Sequence, residues 1–410
     1  MVETTDVLII GAGPSGSVAG ALLCNKGHNC IVLERDIFPR FSIGESLLPQ
    51  CMEIIEEAGM LESIRDMNFQ KKDGAVFSHA GDASTFEFTD QFTKDAWTTT
   101  FEVVRADFDN ALAIAAQDKG VDIRFGQEIV SATPGADRVT VVAHDKEGKA
   151  HHYQARFLLD ASGFGRVLPR LLDLNVASDL VFRQSLFTHI EDNIEDADYD
   201  RNKILITVHA EHPDIWYWLI PFSNGRSSLG IVAPAEYFEG MKSDPETLLK
   251  ALLAEDLRLQ RILQYAVYDT PVKQIAGYSA KVSKMCGDGF ALLGNAGEFL
   301  DPIFSSGVTI ALKSASLAAS VLHRQLRGQA VNWDDEFAQP LAKGVDVFRV
   351  FVESWYDGSL QDIIFSNPQD AKIKRMICSV LAGYVWDDSN PYVSRPRPRV
   401  QALAQLCINH

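Results

Sequence analysis

Basic residues are scarce in this 410-residue chain. Lys and Arg total 38 against 55 Asp and Glu, a formal charge of −17. That deficit argues against a broad nucleic-acid footprint, which gathers Lys and Arg on one face. It argues equally against attachment to anionic membranes. Cysteines are few and scattered: Cys24, Cys30, Cys51, Cys286, Cys378 and Cys407 form no CxxC pair. Neither a zinc site nor a disulfide framework has the spacing it needs, so no metal is expected and a reducing, cytoplasmic location fits. The first residues, MVETTD, are acidic where a secretory signal is basic, which points the same way. Internal repeats and low-complexity tracts are absent. The apolar run from Val7 to Cys24 is interrupted by glycines, a proline and serines, so it reads as strand, turn and helix rather than a membrane span.

What is present is ordinary globular material, 46% hydrophobic and 23% charged. The length suggests two or three structural units. Val7–Ile10 reads as a buried strand, GAGPSG as a turn, and the residues through about Asn25 as a helix. Cys30–Leu33 reads as a second strand ending at Glu34, and Asp107 as the cap of a helix with Phe108, Ala111, Leu112 and Ala115 on its apolar face. Several strands follow from Val121 to Leu159, with others near Leu205–His209, Trp216–Pro221 and Ser228–Val232. A long helix starts after Gly307, and the pattern is helical from Trp333 to an irregular end, SNPYVSRPRPRV. The predicted fold class is α/β: a Rossmann-like nucleotide domain with an inserted β-rich substrate domain and a helical C-terminal unit. The nucleotide domain is assigned 1–70, 100–180 and 270–330, the substrate domain 71–99 and 181–269, and the helical unit 331–410.

Gly11, Gly13 and Gly16 form GxGxxG directly after a strand and at the start of a helix. The first glycine permits the turn, the second lets backbone approach a pyrophosphate, and the third lets helix and strand pack closely. Free N–H groups at the helix start, around Ser15, suit phosphate. Glu34 ends the next strand, where a carboxylate can receive ribose hydroxyls.

Three further segments select FAD over NAD. LLGNAGEFLDP (292–302), VVRADFD (103–109) and LLDASGFGR (158–166) resemble the FAD motifs of the glutathione-reductase-type flavoproteins, in their hydroxylase branch. This resemblance implies cofactor contacts from Arg105, Asn295, Asp301 and Gly307. Asn295 stands where the family usually carries Asp.

The chain also resembles the flavin-dependent halogenases. DIWYWLIPF (214–222) matches WxWxIP through Trp216, Trp218, Ile220 and Pro221, with Ile215 where Gly is frequent. FLDPIFSSG (299–307) fits FxxPxxSxG through Phe299, Pro302, Ser305 and Gly307. NFQKKDGAVF (68–77) resembles the segment carrying the essential lysine of phenol and pyrrole halogenases, which places that role on Lys72, with Lys71 second. FSIGESLLP (41–49) resembles the strap beside the flavin. Phe304 replaces the acidic residue of tryptophan halogenases, so a phenol or pyrrole substrate is expected, free or tethered to a carrier protein.

The resemblance implies that reduced FAD and dioxygen oxidise chloride or bromide held near Ser306 and Gly307. Lys72 then delivers the halogen to a small electron-rich aromatic. Trp216 and Trp218 would separate flavin from substrate. Burial would lower the Lys72 pKa by penalising its charged form. With no second GxGxxG, reduced flavin is expected from a separate reductase. Taken without the resemblance, Lys72 reads as a solvated charge and the two tryptophans as core packing. Asp90, Asp95 and Glu102 read as solvated. A flavin-dependent aromatic monooxygenase, an ene reductase of the geranylgeranyl-reductase type and a non-catalytic flavin-binding protein are the alternatives.

Overall fold

The computed structural model describes residues 2–239, 244–366 and 370–408. Two sheets organise the chain. The first is built on five parallel strands in the order Phe290–Leu292, Ala150–Asp160, Val2–Ile10, Cys30–Glu34 and Asp122–Phe125. Every residue of Cys30–Glu34 is buried, as expected for a parallel strand covered on both faces. The helix Pro14–Asn25 packs against the long helix Ser306–Leu326. The sequence-predicted strand around GxGxxG therefore lies in the middle of this sheet, with its turn and helix packed beside it.

The second sheet has seven strands, ordered Lys273–Ala276, Arg183–Glu191, Arg226–Pro234, Trp216–Pro221, Lys203–Val208, Gly74–His79 and Asp82–Glu87. All neighbours are antiparallel except Gly74–His79 beside Lys203–Val208. Lys273–Ala276 joins this sheet, although the sequence assigned 270–330 to the nucleotide domain.

Side chains alternate across a strand, and in Trp216–Pro221 this separates two cores. Trp216, Trp218 and Ile220 join the large central core. Ile215, Tyr217 and Leu219 join the other, with Leu249 and Leu252 of the helix Pro245–Leu253.

A small third sheet pairs Gln70–Lys72 with Thr100–Glu102. Lys72 is opposite Thr100 and Gln70 opposite Glu102, so these four side chains share one face. Ser46, in the strap, bridges to Glu102 along the same edge.

Two local expectations are corrected. The helix around Asp107 begins at Arg105 with Val104 as its cap, and Asp107 lies in the first turn, where its charge suits the helix dipole. The end of the chain is helical rather than irregular: Pro391–Ser394 and Pro396–Ile408 are both helices. Proline reads as a breaker in sequence, yet its fixed φ and missing N–H are tolerated in a first turn. Among the described residues no helix is long and apolar enough to cross a membrane.

Candidate functional site

The glycine loop opens a cavity of about 420 Å³ between the two sheets. Gly11 has φ +90°, and a Cβ there would lie 2.8 Å from the Ala161 carbonyl oxygen. A Cβ on Gly16 would lie 1.9 Å from the Gly11 carbonyl oxygen. Gly11, Gly13 and Ser15 line the cavity, whereas Gly16 serves the packing behind it. Glu34 lines it too, and its carboxylate accepts from the Ala12 N–H at 2.8 Å and the Asp36 N–H at 2.9 Å. Each oxygen retains acceptor capacity for a ribose hydroxyl.

Arg105 reaches the cavity wall, but its guanidinium is committed elsewhere. It forms a two-point pair with Asp109 at 2.8 and 3.0 Å and donates to the Ile43 and Gly44 carbonyls. Its role in this geometry is to hold the strap 41–49 against the helix Arg105–Asp118. Asp160 is fully buried, which raises its pKa, and it accepts from the N–H groups of Ser162 and Leu168. It fixes the turn that faces the glycine loop.

Asn295 supplies the most informative polar atom in the cavity. Its Oδ1 is buried and has no hydrogen-bond partner in the chain, and the residue lines the cavity with Gly307. Buried polar atoms ordinarily have partners, so Oδ1 fits a group the cofactor would bring. The tight glycine cradle and this orphaned oxygen together fit FAD.

Asp301 and Ser306 differ from expectation. Neither lines the cavity. Asp301 is fully buried and accepts from the Ile303 N–H at 3.0 Å and the Tyr356 hydroxyl at 3.0 Å. Burial pushes its carboxyl up to about 6. An Asp preceding Pro folds back on the following turn as a cap, and that turns its carboxylate away from the cavity. The Ser306 side chain is buried as well, while Ser305, in left-handed backbone at φ 54°, and Gly307 face the cavity.

Trp216 and Trp218 both line the cavity, with ring centroids 5.9 Å apart. Each indole is anchored through its N–H, Trp216 to the Tyr356 hydroxyl at 2.9 Å and Trp218 to Ser228 Oγ at 3.0 Å. Gly230 is opposite Trp218 in register and leaves room for the ring, since a Cβ there would be 2.4 Å from it. Arg183 stacks on Tyr356 with its guanidinium carbon 3.4 Å from the ring centroid. The core that holds the indoles also contains Phe77, Phe304 and Trp355, packed ring against ring.

Lys72 is 1% exposed. Its Nζ donates to Ser46 Oγ at 2.7 Å and to the Leu47 carbonyl at 2.9 Å, and it lies 5.6 Å from the Phe88 ring centroid. Burial lowers its pKa, and nearby Glu102 partly offsets that. Ser46, which accepts from the amine, is also on the wall of the cofactor cavity. Lys71 points outward and pairs with Asp73 at 3.2 Å.

Sequence reasoning missed three members of this arrangement. Glu102, expected in solvent, is 1% exposed; its carboxylate oxygens are buried out of full hydrogen-bond geometry, with Ser46 beside them. Ser46 and Tyr356 were not singled out. Thr100 and Glu102 alternate on one side of a short strand, but that signal becomes specific only once the pairing with Gln70–Lys72 is known. Asp90 and Asp95 are exposed, as expected.

Comparison with known proteins agrees with this geometry. Residues 4–334 match the FAD binding domain family. A 1H-pyrrole-2-carbonyl-[peptidyl-carrier protein] chlorinase from Pseudomonas fluorescens is 30% identical, over 93% of this chain and 89% of that protein. Among solved structures, a flavoprotein/dehydrogenase from Cytophaga hutchinsonii is 41% identical with a TM-score of 0.96, covering 99% of both chains. The myxobacterial chondrochloren halogenase CndH is 26% identical with a TM-score of 0.78, over 99% of this chain and 97% of that one. With the cavity's glycine cradle and the tryptophan pair, these likenesses mean that the chain belongs to the flavin-dependent halogenase family of FAD-binding oxidoreductases.

Proposed function

We propose that the protein halogenates a small electron-rich aromatic, a phenol or pyrrole, using reduced FAD, dioxygen and chloride or bromide, with Lys72 as the catalytic residue. One observation carries this reading: the Lys72 amine is sealed from solvent yet held by Ser46, a residue on the wall of the cofactor cavity. A lysine kept only for its charge would ordinarily reach water.

The cofactor's contribution, when bound, is to activate dioxygen so that a halide is oxidised to hypohalous acid. The protein's own groups do the rest. Gly11, Gly13, Ser15 and Glu34 hold the phosphates and ribose, with Gly16 packed behind them. Asn295 Oδ1 accepts from a donor on the cofactor. Gly307 and the N–H groups where the helix Ser306–Leu326 begins suit a halide. Trp216 and Trp218 screen the flavin side from the substrate side and exclude water from the route between them. Lys72 hydrogen-bonds the hypohalous acid or becomes a haloamine, for which its lowered pKa favours the neutral amine. A phenol or pyrrole activates its own ring, consistent with Phe304 where tryptophan halogenases carry an acid. A carrier-tethered pyrrole is one substrate form to test, because the chlorinase relative is named for it. A separate flavin reductase is the expected electron source.

The test supplies FAD, a reductase with NADH, dioxygen and bromide or chloride, then follows phenols and free or carrier-bound pyrroles by mass spectrometry. Halogen replacing hydrogen supports the proposal. Oxygen gained without halogen would identify a monooxygenase, and loss of hydrogen from the substrate would fit the dehydrogenase name of the Cytophaga protein.

A further inference from the structure

We infer that Glu102 is the proton partner of Lys72, working through the Ser46 hydroxyl. This rests on the assignment of Lys72 above and adds to it a positioning residue.

The geometry is specific. Lys72, Ser46 and Glu102 are all buried, at 1%, 5% and 1% exposure. Glu102 is diagonal to Lys72 on the shared face of the small sheet, and Ser46 is bridged to Glu102 along its edge. Ser46 Oγ accepts from Lys72 Nζ at 2.7 Å. A hydroxyl both accepts and donates, so its own proton is free to turn to Glu102. Neither Glu102 oxygen is in full hydrogen-bond geometry with a partner, but Ser46 lies near enough to stabilise its charged form. Burying a carboxylate in that state is costly unless it is neutralised by a proton or a nearby cation. Burial raises the Glu102 carboxyl to about 7, against the pull of Lys72. The other titratable groups around the pair are Glu45, held by His189 at 2.6 Å, the Cys51 thiol, 3.2 Å from Thr309 Oγ1, and the Tyr199 phenol.

The cycle closes with one proton on the pair. The Lys72 ammonium gives its proton through Ser46 to the Glu102 carboxylate, leaving a neutral amine. The amine nitrogen attacks the halogen of hypohalous acid: an N–halogen bond forms, the halogen–oxygen bond breaks, and water leaves with the amine's second proton. The aromatic carbon then takes the halogen, while Glu102 returns its proton to the nitrogen as the N–halogen bond breaks. The ring finally gives its displaced proton to the amine, restoring the ammonium and carboxylate. Net, arene and hypohalous acid become haloarene and water.

The test uses the holoenzyme with its reductase and compares pH profiles of halogenation for the wild type, Glu102→Gln, Glu102→Asp and Lys72→Ala. The wild type should show a bell, because the pair fails with two protons or with none. Glu102→Gln should lose about 100-fold in rate and lose the alkaline limb, with peroxide release unchanged. Glu102→Asp should keep a bell of reduced height. Independently of turnover, 15N NMR of the Lys72 side chain should show its pKa falling further in Glu102→Gln. A Glu102→Gln variant with wild-type rate and bell, or an unmoved Lys72 titration, overturns the inference. If Lys72→Ala still halogenates, the assignment of Lys72 fails and takes Glu102 with it. If Lys72→Ala is inactive while Glu102→Gln behaves as wild type, the inference about Glu102 alone fails.

Discussion

The indole nitrogen of Trp216 donates to the Tyr356 hydroxyl, which donates in turn to Asp301. A cavity-lining tryptophan on the second sheet is thus tied, through a tyrosine of the helix Gln339–Tyr356, to the loop that precedes the helix Ser306–Leu326. Tyr356→Phe leaves the indole N–H and one Asp301 oxygen unpartnered. Urea denaturation should show a loss of about 1–3 kcal/mol. Peroxide released per halogenated product should rise as the indole loosens.

Gly230→Ala tests the wall from the opposite strand. Its new methyl meets the Trp218 ring at 2.4 Å, and both residues sit in one register pair. The ring must tilt, at a cost of about 1–3 kcal/mol for overpacking. Oxygenated by-products of an aromatic substrate, measured by mass spectrometry, should increase relative to the wild type.

Asp301→Asn tests the buried carboxyl. Burial raises Asp301 from 3.8 to about 6. Below pH 3.8 the carboxyl is protonated both folded and unfolded. As pH rises from there through about 6, the unfolded chain releases its proton first, so wild-type stability falls across that window and levels off above it. The difference of about two pKa units corresponds to about 3 kcal/mol. The neutral amide has no such dependence, so the variant should gain on the wild type by about that amount between about pH 4 and about pH 7, read by urea unfolding.

Lys72→Ala should abolish halogenation and leave flavin oxidation and peroxide release intact. Lys72→Arg should fail as well, because a guanidinium does not give up its proton to react as a free amine. Both are measured by halogenated product and peroxide from the same reaction.

The nucleotide half was legible because its signals are local. Gly11, Gly13 and Gly16 are a few residues apart, and the strands Val2–Ile10 and Cys30–Glu34 carry their own apolar pattern. The alternation of Trp216 and Trp218 was equally readable. Glu102 was not, since its environment is assembled from residues 46, 72 and 100, brought together by register rather than sequence proximity. Asp301 misled because its motif fits a cofactor contact, while its carboxylate is used by Ile303 and Tyr356. The C-terminal helices misled because the positions of Pro391 and Pro396 in first turns depend on caps and neighbours outside the local pattern.

The strand Trp216–Pro221 offers two independent alphabets to anyone redesigning the protein. Its even-numbered letters confront the cavity. Tyr217 and Leu219, on the other face, lie against the outer helices, where the Tyr217 hydroxyl donates to the Leu252 carbonyl at 3.1 Å. Rewriting 217 or 219 should change how firmly the sheet seats while leaving the cavity's spelling intact. Inserting a single residue ahead of Trp216 would swap the two scripts and bury both indoles on the wrong side.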